Sequence, residues 1–509
     1  MLEGGDESDH HPDERECADD LPEPHRSLPR THRPNGGALR NHGDASPVVR
    51  TAATILPCAT DRRILFARRG LTWRSGPEGT YRSVAAERSS TETAERRWSV
   101  DLLRVGSLAV VVVVHWISVR VTLVDGSVRG AAALHGKPIW MLTWLLQVMP
   151  LFFLAGGFAN TLLVDRWRCA GTGFGAYLGP RARRLVAPAV LLVAVLGPVV
   201  RMLSGNIELA RTAAHLIGSP LWFLAVYLVA VALAPLAVRI HDHAAWIAPV
   251  GLLGCSLLVD GVRFSGLSFV AGWNLLFVWV FCHQLGILHA RGTFRAVSDG
   301  LLLILVALGV GILIAMVAGP YPGSMFGLAD APVSNLSPPT SAVSVLATLQ
   351  FAVFTIIDRR IGEWRPVERM RLLISYLTTR LMTIYLWHVP VIAVLTAAAL
   401  LAPDPLLPAD PLTWWLTRPA WIILGGIILF GVVRLALGWD LFCARYLPRT
   451  SSAAALAGTL LAIGAIYFLW RDGLSPTLSP LLLLAGAALL TTTHRVPTPT
   501  PTRPHRIEH

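Results

Sequence analysis

The apolar part of the sequence begins with the stretch LLRVGSLAVVVVVHWISVRVTLV, residues 102–124. An α-helix of this length crosses the hydrocarbon core of a bilayer. The stretch contains Arg104 and, eleven residues later, His115. In a helix this spacing places both side chains on nearly one face, about 16 Å apart along the axis. Because ionisable groups are costly inside a membrane, the pair predicts a site for ions, substrate or protons.

The composition of the whole chain predicts the same class of protein. Of its 509 residues, 53% are hydrophobic and 15% are charged, whereas soluble proteins carry about 25% charged residues. A spanning β-barrel would show alternating segments of about ten residues, and the sequence has none. We predict an all-α polytopic integral membrane protein with twelve apolar runs, at 101–124, 139–164, 185–203, 219–238, 245–259, 272–290, 300–318, 341–357, 374–402, 419–437, 453–470 and 477–492.

The two ends of the chain differ from this apolar part. Residues 1–95 are rich in Asp, Glu, His, Pro, Arg and Ser, and we predict that they are disordered because they cannot bury enough apolar surface. Residues 494–509 contain Thr-Pro repeats and carry the same prediction. The net charge of +12 comes mainly from arginines in short loops, so it does not indicate a nucleic-acid partner. The cysteines lack CxxC spacing, so no zinc site or disulfide framework is expected.

The distribution of arginines between the runs predicts the orientation in the membrane. With the N-terminus inside, the inner loops hold about twice as many basic residues as the outer loops. We therefore expect a multi-pass protein of the cell membrane with a cytoplasmic N-terminus. Arg104 then lies near the cytoplasmic face, and His115 lies deep in the helix, past the midplane.

Five short motifs carry a resemblance to a known family. They are WSVDLLRVGSLAVVVVVH at 98–115, PLFFLAGGFAN at 150–160, PRARRLVAP at 180–188, PLWFLAVY at 220–227 and IYLWHVPV at 384–391. In this order the set resembles the membrane acyltransferase type 3 family. Members of that family transfer acyl groups, often acetyl from acetyl-CoA, to sugars, glycans, lipids or natural products.

The resemblance implies a fold and a set of site residues. It implies a core of about ten helices over residues 96–440, which leaves one or two additional transmembrane helices in 441–493. It also implies an essential histidine and arginine on the first helix and a basic motif at the start of the third. These positions are occupied here by His115, Arg104 and the group Arg181, Arg183 and Arg184. One position departs from the family, because Gly156-Gly157 stands where Ser-Gly is usual.

The chemistry of these residues leaves alternatives open. A neutral His115 can act as a general base toward a hydroxyl, or it can be a core histidine bonded to a backbone carbonyl. Arg104 can bind the phosphates or the thioester end of CoA, or it can pair with Asp101 at the helix start. The Arg181–Arg184 group can dock CoA phosphates, or it can fix topology on anionic lipid.

Four further side chains are candidates for a substrate wall: Trp222, Tyr227, Tyr385 and His388. The alternative for the first two is an interfacial helix entry. The alternative for His388 is structural support beside Pro390, which frees a backbone carbonyl one turn earlier.

From this evidence we expect an integral-membrane O-acyltransferase that uses acyl-CoA, acetyl-CoA in particular, as co-substrate. The expected acceptor is a hydroxyl of a carbohydrate, glycan, lipid or natural product, as in O-acetylation of the cell envelope. The expected partners are the lipid bilayer, acyl-CoA and a carbohydrate or lipid-linked acceptor, without a bound cofactor, a metal or nucleic acid. A proton-coupled transporter or exporter is the alternative, although no internal repeat is visible. A glycosyltransferase or polymerase is a third hypothesis, which would require acidic residues in a large outer loop.

Overall fold

The structure is a computed structural model, and it describes residues 97–124, 127–133, 139–326, 333–361, 364–402, 406–408, 410–445, 450–474 and 478–492. The segments 1–95 and 494–509, for which we predicted disorder, lie outside these residues.

Helices dominate the described residues. The first half contains α1 (Trp98–Ile117), α2 (Leu142–Leu146), α3 (Met149–Ala170), α4 (Phe174–Met202), α5 (Ile207–Gly218), α6 (Leu221–His243) and α7 (Ile247–Phe264). The second half contains α8 (Asn274–Ala290), α9 (Asp299–Ala318), α10 (Ser341–Ile361), α11 (Glu368–Ala399), α12 (Pro411–Arg445), α13 (Ser452–Asp472) and α14 (Leu478–Thr491). Two strands, β1 (Val119–Val124) and β2 (Ser127–Ala132), follow α1.

The prediction of an all-α polytopic membrane protein is confirmed. Within the described residues, eleven helical segments are long and apolar enough to cross a membrane, some of them built from two consecutive helices such as α5 and α6. The twelfth predicted run corresponds to α14, a shorter apolar helix of 14 residues.

The end of the first predicted run is wrong. The sequence analysis continued the helix to residue 124, whereas α1 ends at Ile117 and β1 pairs antiparallel with β2. The cause is visible in the sequence, because Val119, Val121 and Leu123 alternate with polar residues. This period of two favours a strand over a helix. The hairpin therefore begins three residues after Trp116, which is buried in the helix bundle.

The backbones of α3 and α8 approach each other very closely. A Cβ at Gly157 would collide with the backbone carbonyl of His283, and one at Gly286 would collide with the carbonyl of Leu154. Beside this contact, Asn160 Nδ2 lies 3.0 Å from His283 Nε2, and both side chains are buried. Small residues at a membrane helix interface allow this approach.

The last two helices pack on the body of the protein. α13 contacts α14, α4 and α6, and a Cβ at Gly218 would lie 2.6 Å from the carbonyl oxygen of Leu469 in α13. The start of α4 packs equally closely against the segment before α13, because a Cβ at Gly175 would lie 2.8 Å from the carbonyl carbon of Ser451. The C-terminal helices therefore support the helix that carries Arg181, Arg183 and Arg184.

Charged side chains join several helix ends on the predicted cytoplasmic side. Arg291, after α8, donates to Asp165 of α3 through two nitrogens at 2.7 and 2.9 Å. It also donates to Asp242 of α6 at 2.9 Å, and Arg168 donates to the same carboxylate at 2.7 Å. We call these four residues the paired cluster, because each arginine in it has a carboxylate partner.

Candidate active site

Arg104 and His115 both lie on α1, as the sequence predicted. Their spacing corresponds to about three helical turns, or about 16 Å. Arg104 is half-buried and lines a cavity. His115 does not line that cavity, so the two residues mark two connected parts of the site rather than one point.

The cavity has a volume of about 780 Å³ and lies where α1, α3, α4, α6, α11 and α12 meet. Its volume is in the range of pockets that hold small molecules and cofactors. The charged residues in its lining are Arg104, Arg183, Arg184, Arg380 and Asp440. Four arginines face one carboxylate, which makes the cavity suited to an anion. Among the described residues, no group of three or more His, Cys, Asp or Glu side chains could hold a metal ion.

The structure separates the three arginines of the basic motif. Arg183 and Arg184 line the cavity, and Arg183 is buried. Arg181 is absent from the lining and turns toward its own helix. Its guanidinium lies 4.4 Å from the centroid of the Tyr177 ring and donates to the Tyr177 carbonyl.

His115 has one ring nitrogen fixed by the backbone. Nδ1 lies 2.8 Å from the carbonyl oxygen of Val111, one turn earlier. A carbonyl oxygen only accepts, so we assign the proton to Nδ1, which leaves the lone pair on Nε2. The carbonyl contact expected for a core histidine is thus present, and it also leaves Nε2 in the form that a general base requires.

His115 differs in accessibility from its neighbours on α1. The ring lies deep in the helix bundle, yet the residue is exposed, whereas Val114 and Trp116 on either side are buried. His115 lies one turn or less from the end of α1, where the chain changes to the hairpin. An accessible imidazole deep among helices is suited to meet a substrate.

A row of aromatic side chains joins His115 to the cavity. The ring of His115 contacts His388 edge-on at 4.9 Å between centroids, and His388 lies 5.5 Å from Tyr385. The row continues from Tyr385 to Phe223 at 4.9 Å and from Phe223 to Tyr227 at 5.5 Å. Tyr227 lines the cavity and interacts electrostatically with Arg104.

The four candidates for a substrate wall therefore have different positions. Tyr227 lines the cavity, while Tyr385 and His388 lie between the cavity and His115. Trp222 lies away from the cavity, 5.2 Å from Trp279 between ring centroids. His388 is fully buried, its Nδ1 contacts the Tyr385 carbonyl, and its Nε2 has no hydrogen-bond partner among the described residues.

Tyr227 also explains the glycine found at the position of the expected serine. A Cβ at Gly156 would lie 2.7 Å from Cε2 and 3.0 Å from the hydroxyl oxygen of Tyr227. These distances are shorter than van der Waals contact, so the tyrosine ring occupies the space that a serine side chain would need. The hydroxyl of Tyr227 stands close to where the serine hydroxyl would be.

The sequence analysis missed several lining residues on α11 and α12. Arg380 entered the sequence analysis only as one of the basic residues that predict the orientation in the membrane. It is, however, the one Asp, Glu, Lys or Arg within the run 374–402. Asp440 accepts a hydrogen bond from Thr383 at 3.1 Å, and Cys443 lies one turn further along α12. The charge of Arg380 inside an apolar run was the available signal, and it is the same signal that selected Arg104.

Comparison with known proteins identifies the family. A family model described as an acyltransferase domain, of the type 3 family, matches residues 97–439. The match covers more than half of the chain and confirms the resemblance predicted from the motifs. No curated protein and no solved structure matches the chain.

Proposed function

The chain belongs to the membrane acyltransferase type 3 family, and from this premise we propose that it transfers an acyl group, acetyl in particular, from acyl-CoA to a hydroxyl. The proposed acceptor is a carbohydrate, glycan, lipid or natural product, as in O-acetylation of the cell envelope. The proposed location is the cell membrane with the N-terminus in the cytoplasm. The observation that carries the proposal is the arginine-lined cavity joined by aromatic rings to His115.

The cavity supports acyl-CoA as the donor. Arginine binds phosphate through two parallel charged hydrogen bonds. Arg104, Arg183, Arg184 and Arg380 come from three helices and converge on one cavity. The starts of α1, α4 and α11 and the end of α12 lie on one side of the membrane if each span crosses once. That side is the predicted cytoplasmic side, where CoA is available.

The separation of Arg104 from His115 supports an extended donor. The distance along α1 is about 16 Å, which is comparable to the extended pantetheine arm between the phosphates of CoA and its thioester. Of the two roles considered for Arg104, the geometry therefore favours binding of the phosphate end. The acyl carbon then comes close to His115, past Tyr227, Tyr385 and His388.

The tautomer of His115 supports general-base catalysis. Nε2 takes the proton of the acceptor hydroxyl while the oxygen attacks the thioester carbonyl carbon. The new C–O bond forms, the C–S bond breaks, and the imidazolium returns its proton to the leaving CoA sulfur. The hydrogen bond from Nδ1 to Val111 holds the ring in place throughout. A covalent acyl-His115 intermediate would use the same nitrogen and is the alternative route.

The test is turnover of radiolabelled acetyl-CoA by the purified protein in lipid vesicles, with an extract of cell-envelope glycans added as the acyl acceptor. Wild type should release CoA, and His115→Ala should reduce the rate at least about a hundredfold, as expected for loss of a general base. Arg369→Gln, at an exposed position outside the cavity lining, is the control and should match wild type. Equal turnover by wild type and His115→Ala would refute the mechanism, and proton flux without CoA release would favour the transporter.

The acceptor requires a separate experiment. Mass spectrometry of cell-envelope glycans and lipids from a deletion strain should show loss of one acyl modification. Complementation with wild type should restore it, and complementation with His115→Ala should not. Unchanged envelope components would direct the search to small natural products.

A further inference from the structure

Arg380 is a cavity residue to which the motifs assign no role. Its guanidinium lies 4.0 Å from the centroid of the Tyr376 ring, one turn earlier on α11. Nη1 donates to the Tyr376 carbonyl at 3.2 Å and to Thr379 Oγ1 at 2.8 Å. Nε is buried and has no hydrogen-bond partner among the described residues. The group is therefore held on one edge, while part of its hydrogen-bonding capacity is unused.

The conformation of the Arg380 side chain places its positive charge away from His115. Tyr376, under the guanidinium, precedes His388 by twelve residues, which corresponds to about 18 Å along the helix axis. Since His388 contacts His115, the guanidinium of Arg380 lies at the opposite end of the site from the imidazole.

Arg184 belongs to the same end of the cavity. It comes from α4, it is exposed, and it interacts electrostatically with Asp440, as Arg380 does. The two arginines therefore lie around one carboxylate, which Thr383 holds by a hydrogen bond. The single negative charge of Asp440 does not balance the two positive charges of Arg184 and Arg380. A ligand that supplies further negative charge at this end would be stabilised.

We propose that Arg380 and Arg184 form a subsite for the 3′-phosphate of the acyl-CoA donor, separate from the position of Arg104. The proposal rests on the proposed function. An extended donor with its thioester at His115 brings its phosphates past Arg104 toward this end, and the 3′-phosphate on the nucleotide is remote from the thioester. A phosphate from a lipid headgroup has the same chemistry, so the experiment must distinguish the two sources.

The experiment compares acetyl-CoA with acetyl-dephospho-CoA, which lacks only the 3′-phosphate. KM and kcat are measured for wild type, Arg380→Gln, Arg380→Lys and the control Arg369→Gln in phosphatidylcholine vesicles, with the same glycan extract as the acyl acceptor. Arg380→Gln should raise KM for acetyl-CoA about tenfold, as expected for loss of a charged hydrogen bond, and should leave KM for acetyl-dephospho-CoA unchanged. For Arg380→Lys, KM for acetyl-CoA should lie between the values for wild type and Arg380→Gln, because lysine keeps the positive charge but lacks the planar, two-pronged guanidinium.

Three results would overturn the subsite. Equal KM changes for both donors would place Arg380 at another part of the nucleotide, and no change for either donor would remove it from the donor site. An effect that appears only when anionic phosphatidylglycerol is added to the vesicles would assign Arg380 to a lipid headgroup. If wild type turns over neither donor, the proposed function fails and the subsite fails with it, which distinguishes that case from a failure confined to Arg380.

Discussion

Two groups of arginines lie on the same predicted side of this protein, and they differ in their partners. In the paired cluster, Arg168 and Arg291 bind Asp165 and Asp242 at distances of 2.7 to 2.9 Å in their shortest contacts. In the cavity, Arg184 and Arg380 interact electrostatically with one carboxylate, Asp440. Arginines that hold helices together are thus neutralised by the chain itself, while those of the cavity are arranged for a charge from outside.

The difference teaches how to separate a structural from a functional basic motif. A partly buried cation without enough counter-charge is costly. The fold tolerates that cost in the cavity, where several helices bring arginines together, and avoids it in the paired cluster. The comparison predicts that substitutions in the paired cluster change stability, whereas those in the cavity change donor affinity.

The largest effect is expected for Arg291→Ala. The side chain is 26% exposed and bonds to two carboxylates, so its removal leaves Asp165 without this cation and Asp242 with Arg168 alone. We expect a loss of about 3 kcal/mol in the free energy of unfolding, seen as a lower Tm in detergent, with KM for acetyl-CoA unchanged. Arg471→Ala removes the more exposed pair with Asp472 and should leave Tm nearly unchanged, because solvent screens an exposed ion pair.

Gly156→Ser should have the next largest effect, because it inserts a side chain against the cavity wall. The new Cβ would push the Tyr227 ring out of position, at a cost of about 2 kcal/mol by overpacking. Tm should fall, and Gly156→Ser should lower Tm much less in a Tyr227→Ala background, where the ring that it would clash with is gone. Gly254→Ser has no atom within 4 Å of the new Cβ and serves as the control. An unchanged Tm in Gly156→Ser would show that Tyr227 moves freely.

Arg104→Lys should affect binding rather than stability. The positive charge remains, but the planar fork is lost, so KM for acetyl-CoA should rise about tenfold, equivalent to about 1.4 kcal/mol. Tm should change little. Arg201→Lys is the matched control, because Arg201 is exposed and lies in the last turn of α4, at the end opposite to Arg183 and Arg184. A fall in Tm without a change in KM would place Arg104 with the paired cluster.

The smallest effect is expected for Asp440→Asn, which removes the only acid among the described residues that line the cavity. The positive charge of the cavity increases, so KM for acetyl-CoA should fall about twofold, or about 0.4 kcal/mol. Added salt should reduce the difference by screening. Asp472→Asn, which lies outside the lining, should leave KM unchanged. A higher KM in Asp440→Asn would indicate that the carboxylate contacts the donor directly.

The sequence predicted the helices well, because hydrophobic length is a local property of the chain. The twelve runs, the shared helix of Arg104 and His115, and the basic start of α4 all follow from neighbouring residues. It did not predict that α1 ends at Ile117, because the valine-rich continuation is as hydrophobic as the helix. The period of two from Val119 onward was the signal that distinguished the strand.

The assembly of the site was less predictable, because it depends on residues that are distant in the sequence. His388 contacts His115, and Asp440 joins Arg184 and Arg380, only after four helices have packed. The same holds for Gly156, where the sequence shows only a departure from the family pattern and the structure shows Tyr227 in the space of the missing side chain. The direction of a side chain such as Arg181, which turns back on Tyr177, also follows from packing and not from the motif.

The contact between α3 and α8 has a consequence for motion during turnover. At Gly157 and Gly286 each backbone fits against the other so closely that neither helix can slide or rotate without a clash. Packed elements of this kind move as rigid bodies. We therefore expect the proposed CoA donor to enter and leave by displacement of α4, α11 or α12 relative to α3 and α8, which would move together as one unit.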